Sequence, residues 1–107
     1  MKQFELFTMI YYILDDVWDE SKDYDLGQFL SGANPFLFED IGSAVPDIYE
    51  DFKTKIPSII DIGDSYKVAV EYMKSVESGK YLNAFLSVSE DEWIECVKDY
   101  LSEPHKC

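Results

Sequence analysis

Six carboxylates fall within eleven residues, at Asp15, Asp16, Asp19, Glu20, Asp23 and Asp25, and Tyr12 stands just before them. Such a run can do one of two kinds of chemistry. It can ligate a divalent metal, or it can receive the lysines and arginines of another protein, with aromatic rings as anchors. Di-metal helical bundles place glutamates on several helices and pair some of them with histidine. The only histidine here is His105, close to the C-terminus, so the run reads as a partner-binding patch rather than a metal site. Tyr12 is its expected exposed ring, because it lies off the main apolar stripe. Tyr11 and Trp18 read as core, with the patch as the alternative, and a merely solvated acidic face is the plainer reading of the whole run.

A second candidate patch comprises Glu39, Asp40, Asp47, Glu50 and Asp51 around Tyr49, read as exposed. A third, Glu90, Asp91, Glu92 and Glu95, is explained in large part by helix capping. Catalytic chemistry lacks its parts. Gly42 and Gly63 stand alone, so no glycine-rich loop cradles a phosphate. No cysteine and histidine set has zinc spacing, and no calcium loop is spelled. A cysteine–histidine nucleophile would need His105, and a tail cannot preorganise it. The sequence therefore predicts no catalytic residue, cofactor or metal, and a protein that is not an enzyme.

The charge indicates what the patches meet. Twenty-two Asp and Glu face nine lysines and no arginine, for a net charge of −13. Nucleic-acid binding depends on cationic side chains that release counterions, and anionic membranes attract basic segments, so both are poor partners. A basic protein would be drawn in, with a marked dependence on salt. Solubility alone is the alternative explanation of the acidity.

These residues need elements to hold them. The chain has the length of one domain, 1–107, and its 16% aromatic content separates it from disordered acidic chains. Phe4, Phe7, Tyr11, Leu14 and Trp18 recur at three and four, predicting a helix from Lys2 to about Lys22. Leu6, Met9 and Ile13 widen its apolar stripe, so the helix is either central to a bundle or shared with a second copy as a homodimer. Its acidic C-terminal half works against the helix dipole, and Asp15/Asp19 and Asp16/Glu20 are repulsive pairs four apart.

From Tyr24 to Val45, Gly27, Gly32, Asn34, Pro35 and Gly42 predict an irregular but apolar loop packed on the bundle, with a helical turn or two at Leu26, Phe29 and Leu30. Pro46 opens a helix that Pro57 stops, with Ile48, Phe52 and Ile56 on one face. Asp64 or Ser65 caps the next, which buries Tyr66, Ala69, Val70, Met73 and Val76 and closes at Gly79. A short apolar turn, 81–86, leads to the Ser89/Glu92 capping box and a last helix burying Trp93, Val97, Tyr100 and Leu101. Pro57 to Ile62 is the one ambiguous stretch. The expected fold is all-α, a compact bundle of four to five helices with a packed loop after the first and a tail over 102–107.

Cys96 and Cys107 read as free thiols of a reducing compartment, with a bridge between them as the alternative. No secretory signal and no run of the ~20 apolar residues that span a membrane is present, so the expected location is cytoplasmic.

In size, helical pattern, carboxylate excess and the Tyr12/Asp15/Asp16/Asp19 patch, the chain resembles the small acidic immunity proteins of bacterial toxin systems. The segments Asp25-Leu26-Gly27, Asn34-Pro35-Phe36-Leu37-Phe38 and Asp47-Ile48-Tyr49-Glu50-Asp51-Phe52 also look like uncharacterised proteins of low-GC Gram-positive bacteria. The first resemblance implies stoichiometric masking of a basic toxin domain. A helical adaptor or self-associating protein is the competing expectation.

Overall fold

The computed structural model describes residues 1–33 and 46–102. Helix α1 spans Gln3–Ser21, α2 Tyr24–Ala33, α3 Pro46–Lys55, α4 Ile62–Ser75, α5 Leu82–Phe85 and α6 Glu90–Leu101. The fold is an all-α bundle, and the described residues hold no strand beyond one isolated antiparallel bridge, Lys2 to Ile59. That bridge lies in the stretch whose sequence was ambiguous, 57–62. The Met1 and Ile60 backbones bond reciprocally there, with Ile60 N–H donating to Met1 O at 2.8 Å.

Helix α1 is central. It packs against α2, α3, α4, α5 and α6, and every residue from Phe4 to Ile10 is buried, with Ile13 and Leu14 beyond them. The breadth of its apolar stripe is thus consumed inside one chain. Tyr12 is the only large hydrophobic residue that α1 leaves exposed, the arrangement of a helix central to the bundle. Gln3 Nε2 donates to the Ile56 carbonyl at 2.6 Å, just beyond the end of α3, where backbone acceptors lack intrahelical partners.

One aromatic train runs through α1, α3 and α4. Phe7 meets Tyr49 and Phe52 at 5.1 Å each, and Phe52 meets Tyr72 at 4.8 Å. Tyr49 is therefore buried, at 5% exposure, and the expectation that it is a surface ring is corrected. It lies on the same inward face as Phe52 and Ile56, and Phe4 and Phe7 close over it. A second aromatic cluster joins α4, α5 and α6 through Tyr66, Phe85 and Trp93.

Two further expectations change. The segment 24–33 forms a full ten-residue helix rather than a turn or two; the remainder of the predicted loop lies outside the described residues. Helix α4 starts at Ile62, ahead of the caps expected at Asp64 or Ser65. Ser65 is instead buried and bonded to the core. Helix α4 ends at Ser75, Val76 is extended (φ −79°, ψ 119°), and Glu77, Ser78 and Gly79 then successively take positive φ of 48°, 57° and 82°. Only the third is a residue without a steric penalty there. The Ser89 cap of α6 forms as expected, accepting Glu92 N–H at 3.2 Å.

Candidate functional site

The acidic end of α1 is held by its own termination. Lys22 adopts the left-handed conformation (φ 54°) and donates its backbone N–H to Trp18 O at 2.6 Å. That geometry brings its ammonium to 3.2 Å from Asp19 Oδ1 and 4.2 Å from the Trp18 ring centroid. One cation thereby offsets part of the repulsion among six carboxylates. The pair is exposed and contributes at most about 1 kcal/mol.

The structure splits the seven residues of the first patch. At 3.6 residues per turn, Tyr12, Asp16, Asp19 and Glu20 share one face of α1, and all four are exposed. Asp15 turns aside and is half-buried, in a notch of about 200 Å³ with Tyr11, Trp18, Gly27, Leu30 and Ser31. Tyr11 and Trp18, read as core with the patch as alternative, are half-buried walls of that notch. Asp23 has a local task, accepting Leu26 N–H at 3.2 Å at the start of α2. Asp25 pairs with Lys80 at 2.9 Å, and its carbonyl accepts the Tyr81 hydroxyl at 3.1 Å. Asp23 and Asp25 are thus exposed residues that also tie α2 in place.

What joins the patch comes from the other end of the chain. Tyr12 meets Tyr100 of α6 edge to face, with ring centroids 6.0 Å apart. Across this seam Asp16 of α1 acts electrostatically on Cys96 of α6, together with Asp99, Glu92 and Glu95. Burial first, then Asp99, Asp16, Glu92 and Glu95, push the Cys96 thiol above its ordinary value. It is therefore a protonated, poorly nucleophilic thiol at neutral pH. The α6 half of this surface carries a sequence signal: Glu92, Cys96, Asp99 and Tyr100 recur at three and four, on a face beside the buried Trp93 and Val97. Its meeting with α1 is a long-range contact that no local pattern encodes.

The second patch does not assemble as expected. Glu39 and Asp40 lie outside the described residues. Asp47, Glu50 and Asp51 are exposed on α3, but Glu50 pairs with Lys53 at 3.4 Å and Asp51 with Lys55 at 3.0 Å. Lys53 also lies over the Tyr49 ring, 5.6 Å from its centroid. Lysines of the same helix thus meet two of the three carboxylates.

A larger cleft of about 600 Å³ separates the end of α3 from α4, floored by Ile56, Val68 and Tyr72. Two lysines, Lys55 and Lys67, and two acids, Asp64 and Glu71, line it, so its charge is balanced. Among the described residues no three His, Cys, Asp or Glu side chains converge as a metal site. No helix there is long and apolar enough to cross a membrane. In comparisons with known proteins, no family model matches the chain and no curated protein or solved structure is significantly similar to it.

Proposed function

We propose that this chain is an acidic protein-binding domain that works as an immunity protein, neutralising a basic toxin by covering its active or nucleic-acid-binding surface. The observation that carries this reading is the seam between α1 and α6. There, Tyr12 and Tyr100 meet edge to face, Asp16 of α1 and Asp99, Glu92 and Glu95 of α6 all act on Cys96, and Asp19 lies on the same face of α1. A pair of rings supplies anchor area of the kind that dominates binding energy. Carboxylates around the rings steer a cationic partner and exclude wrong ones, without costing the burial of unpaired charge until the partner arrives.

The role is stoichiometric and non-catalytic, and it belongs in the cytoplasm, beside the toxin's synthesis. The protonated Cys96 and the exposure of the acids both suit a docking surface better than a reaction centre. Self-association through α1 receives less support, because the apolar residues of that helix are already covered.

The test is affinity capture from the native strain at low and high salt, using wild type and an Asp16→Asn/Asp19→Asn/Tyr12→Ala variant. The expected result is a basic protein held by wild type, released by salt and lost by the variant. Expression of that protein alone should arrest growth, and co-expression of wild type should restore it. A captured partner held equally by the variant, or one whose expression harms no cell, would sink the reading.

A further inference from the structure

The notch between α1 and α2 has three features that fit one ligand chemistry. Its walls combine the Tyr11 and Trp18 rings with a single carboxylate, Asp15. The Trp18 ring already attracts a cation, since Lys22 Nζ sits 4.2 Å from its centroid, the distance at which an ammonium is drawn to an indole face. The Trp18 ring is seated directly against α2 at Gly27, where a Cβ would lie 2.7 Å from Trp18 Nε1. Burial, then Asp15 and Tyr12, push the Tyr11 phenol above its ordinary value, so it stays uncharged beside the carboxylate.

A cavity of about 200 Å³ takes one long side chain and little more. A planar guanidinium both stacks on aromatic faces and forks onto a carboxylate, whereas a lysine ammonium acts as a point charge. The chain itself contains no arginine, so no guanidinium of its own competes for the notch. We propose that the notch receives one arginine side chain of the basic partner, its guanidinium against the Trp18 indole and paired with Asp15. This inference rests on the partner-binding reading above and gives that partner a defined anchor, one face of α1 away from the Tyr12–Tyr100 seam.

The chain has two tryptophans, and the indole N–H of Trp93 is fixed in the core by Ser65. Proton–nitrogen spectra therefore report the notch through Trp18 and the fold through Trp93. Titration with N-acetyl-arginine methylamide is expected to shift the Trp18 signal and leave Trp93 in place. The citrulline analogue, of the same shape without the charge, is expected to shift it far less. Gly27→Ala displaces the Trp18 ring that walls the notch and Asp15→Asn removes its charge; each is expected to erase the difference between the two probes, with the Trp93 signal unmoved. Equal responses to the two probes in wild type, or an arginine response that survives both substitutions, overturns the assignment. An arginine response without salt-dependent capture of any basic protein keeps the notch and removes the partner reading. Capture that is indifferent to Gly27→Ala and Asp15→Asn keeps the partner reading and removes the notch.

Discussion

Trp93 of α6 donates its indole N–H to Ser65 Oγ of α4 at 2.8 Å, and neither residue has exposed surface. Ser65 Oγ donates in turn to the Ile62 carbonyl at 2.7 Å. A single hydroxyl thus satisfies a buried donor and fixes the register of two helices inside an apolar core. Ser65→Ala leaves the indole N–H without that acceptor, and an unmet buried donor costs roughly 1–3 kcal/mol. Urea unfolding at neutral pH is expected to show a loss of that size, with m unchanged. A midpoint equal to that of wild type would mean the bond contributes nothing to stability.

Tyr49 separates a surface anchor from a core ring. Its contacts with Phe4, Phe7 and Phe52, at 5.4, 5.1 and 6.0 Å, place it in the core. Tyr49→Ala is expected to destabilise the fold by about 3–5 kcal/mol, as for other large aromatic truncations. Tyr12→Ala, at an exposed position in edge contact with Tyr100, is expected to cost about 0.5–1.5 kcal/mol. Thermal melts of the two variants side by side check this, and a small shift for Tyr49→Ala would return it to the surface.

The misreading of Tyr49 shows where the sequence is legible. Tyr49, Phe52 and Ile56, spaced by three and four, fit a helix face as well as Ile48, Phe52 and Ile56, spaced by four and four. The flanking Glu50 and Asp51 suggest a surface ring, whereas the helix turns them to solvent and Tyr49 inward. Helices α1, α3 and α6 were readable because their apolar periods, Pro46 and the Ser89/Glu92 cap are local signals. Helix α2 was not, because Gly27 and Gly32 read as breakers. Gly27 is instead a helical position where the Trp18 ring occupies the space of a side chain. The acidic run was visible, but its division was not. Asp23 and Asp25 also bond to a helix start and to Lys80, and the α1–α6 seam depends on contact across most of the chain.

That seam has a chemical reporter. The Cys96 thiol is held above its ordinary value by burial first and then by Asp99, Asp16, Glu92 and Glu95. In a Cys107→Ser background, alkylation of Cys96 by iodoacetamide at mildly alkaline pH should be slower than that of a free thiol. Asp99→Asn is expected to speed the reaction, and Asp16→Asn to speed it by less, since more thiolate forms when a neighbouring negative charge is removed. An unchanged rate in Asp16→Asn would show that α1 and α6 do not share one acidic surface in solution.

Tyr72 is expected to weaken the fold at alkaline pH. Its ring is buried at 4% exposure and packs on Phe52, and burial, with Asp51 second, pushes its phenol from 10.0 up to about 12. The unfolded chain releases this proton near pH 10, while the folded chain keeps it until near pH 12. Between those values the unfolded state binds fewer protons, so stability falls as pH rises. The contribution is fully present below pH 10, lost through pH 12, and amounts to roughly 2–3 kcal/mol at one pKa unit per 1.36 kcal/mol. Burial pushes Tyr11 and Tyr81 in the same direction, so they add to the slope. Urea midpoints measured across this window should decline in wild type and decline less in Tyr72→Phe, which keeps the ring and removes the titrating group. Parallel declines in the two proteins would assign alkaline unfolding to other groups.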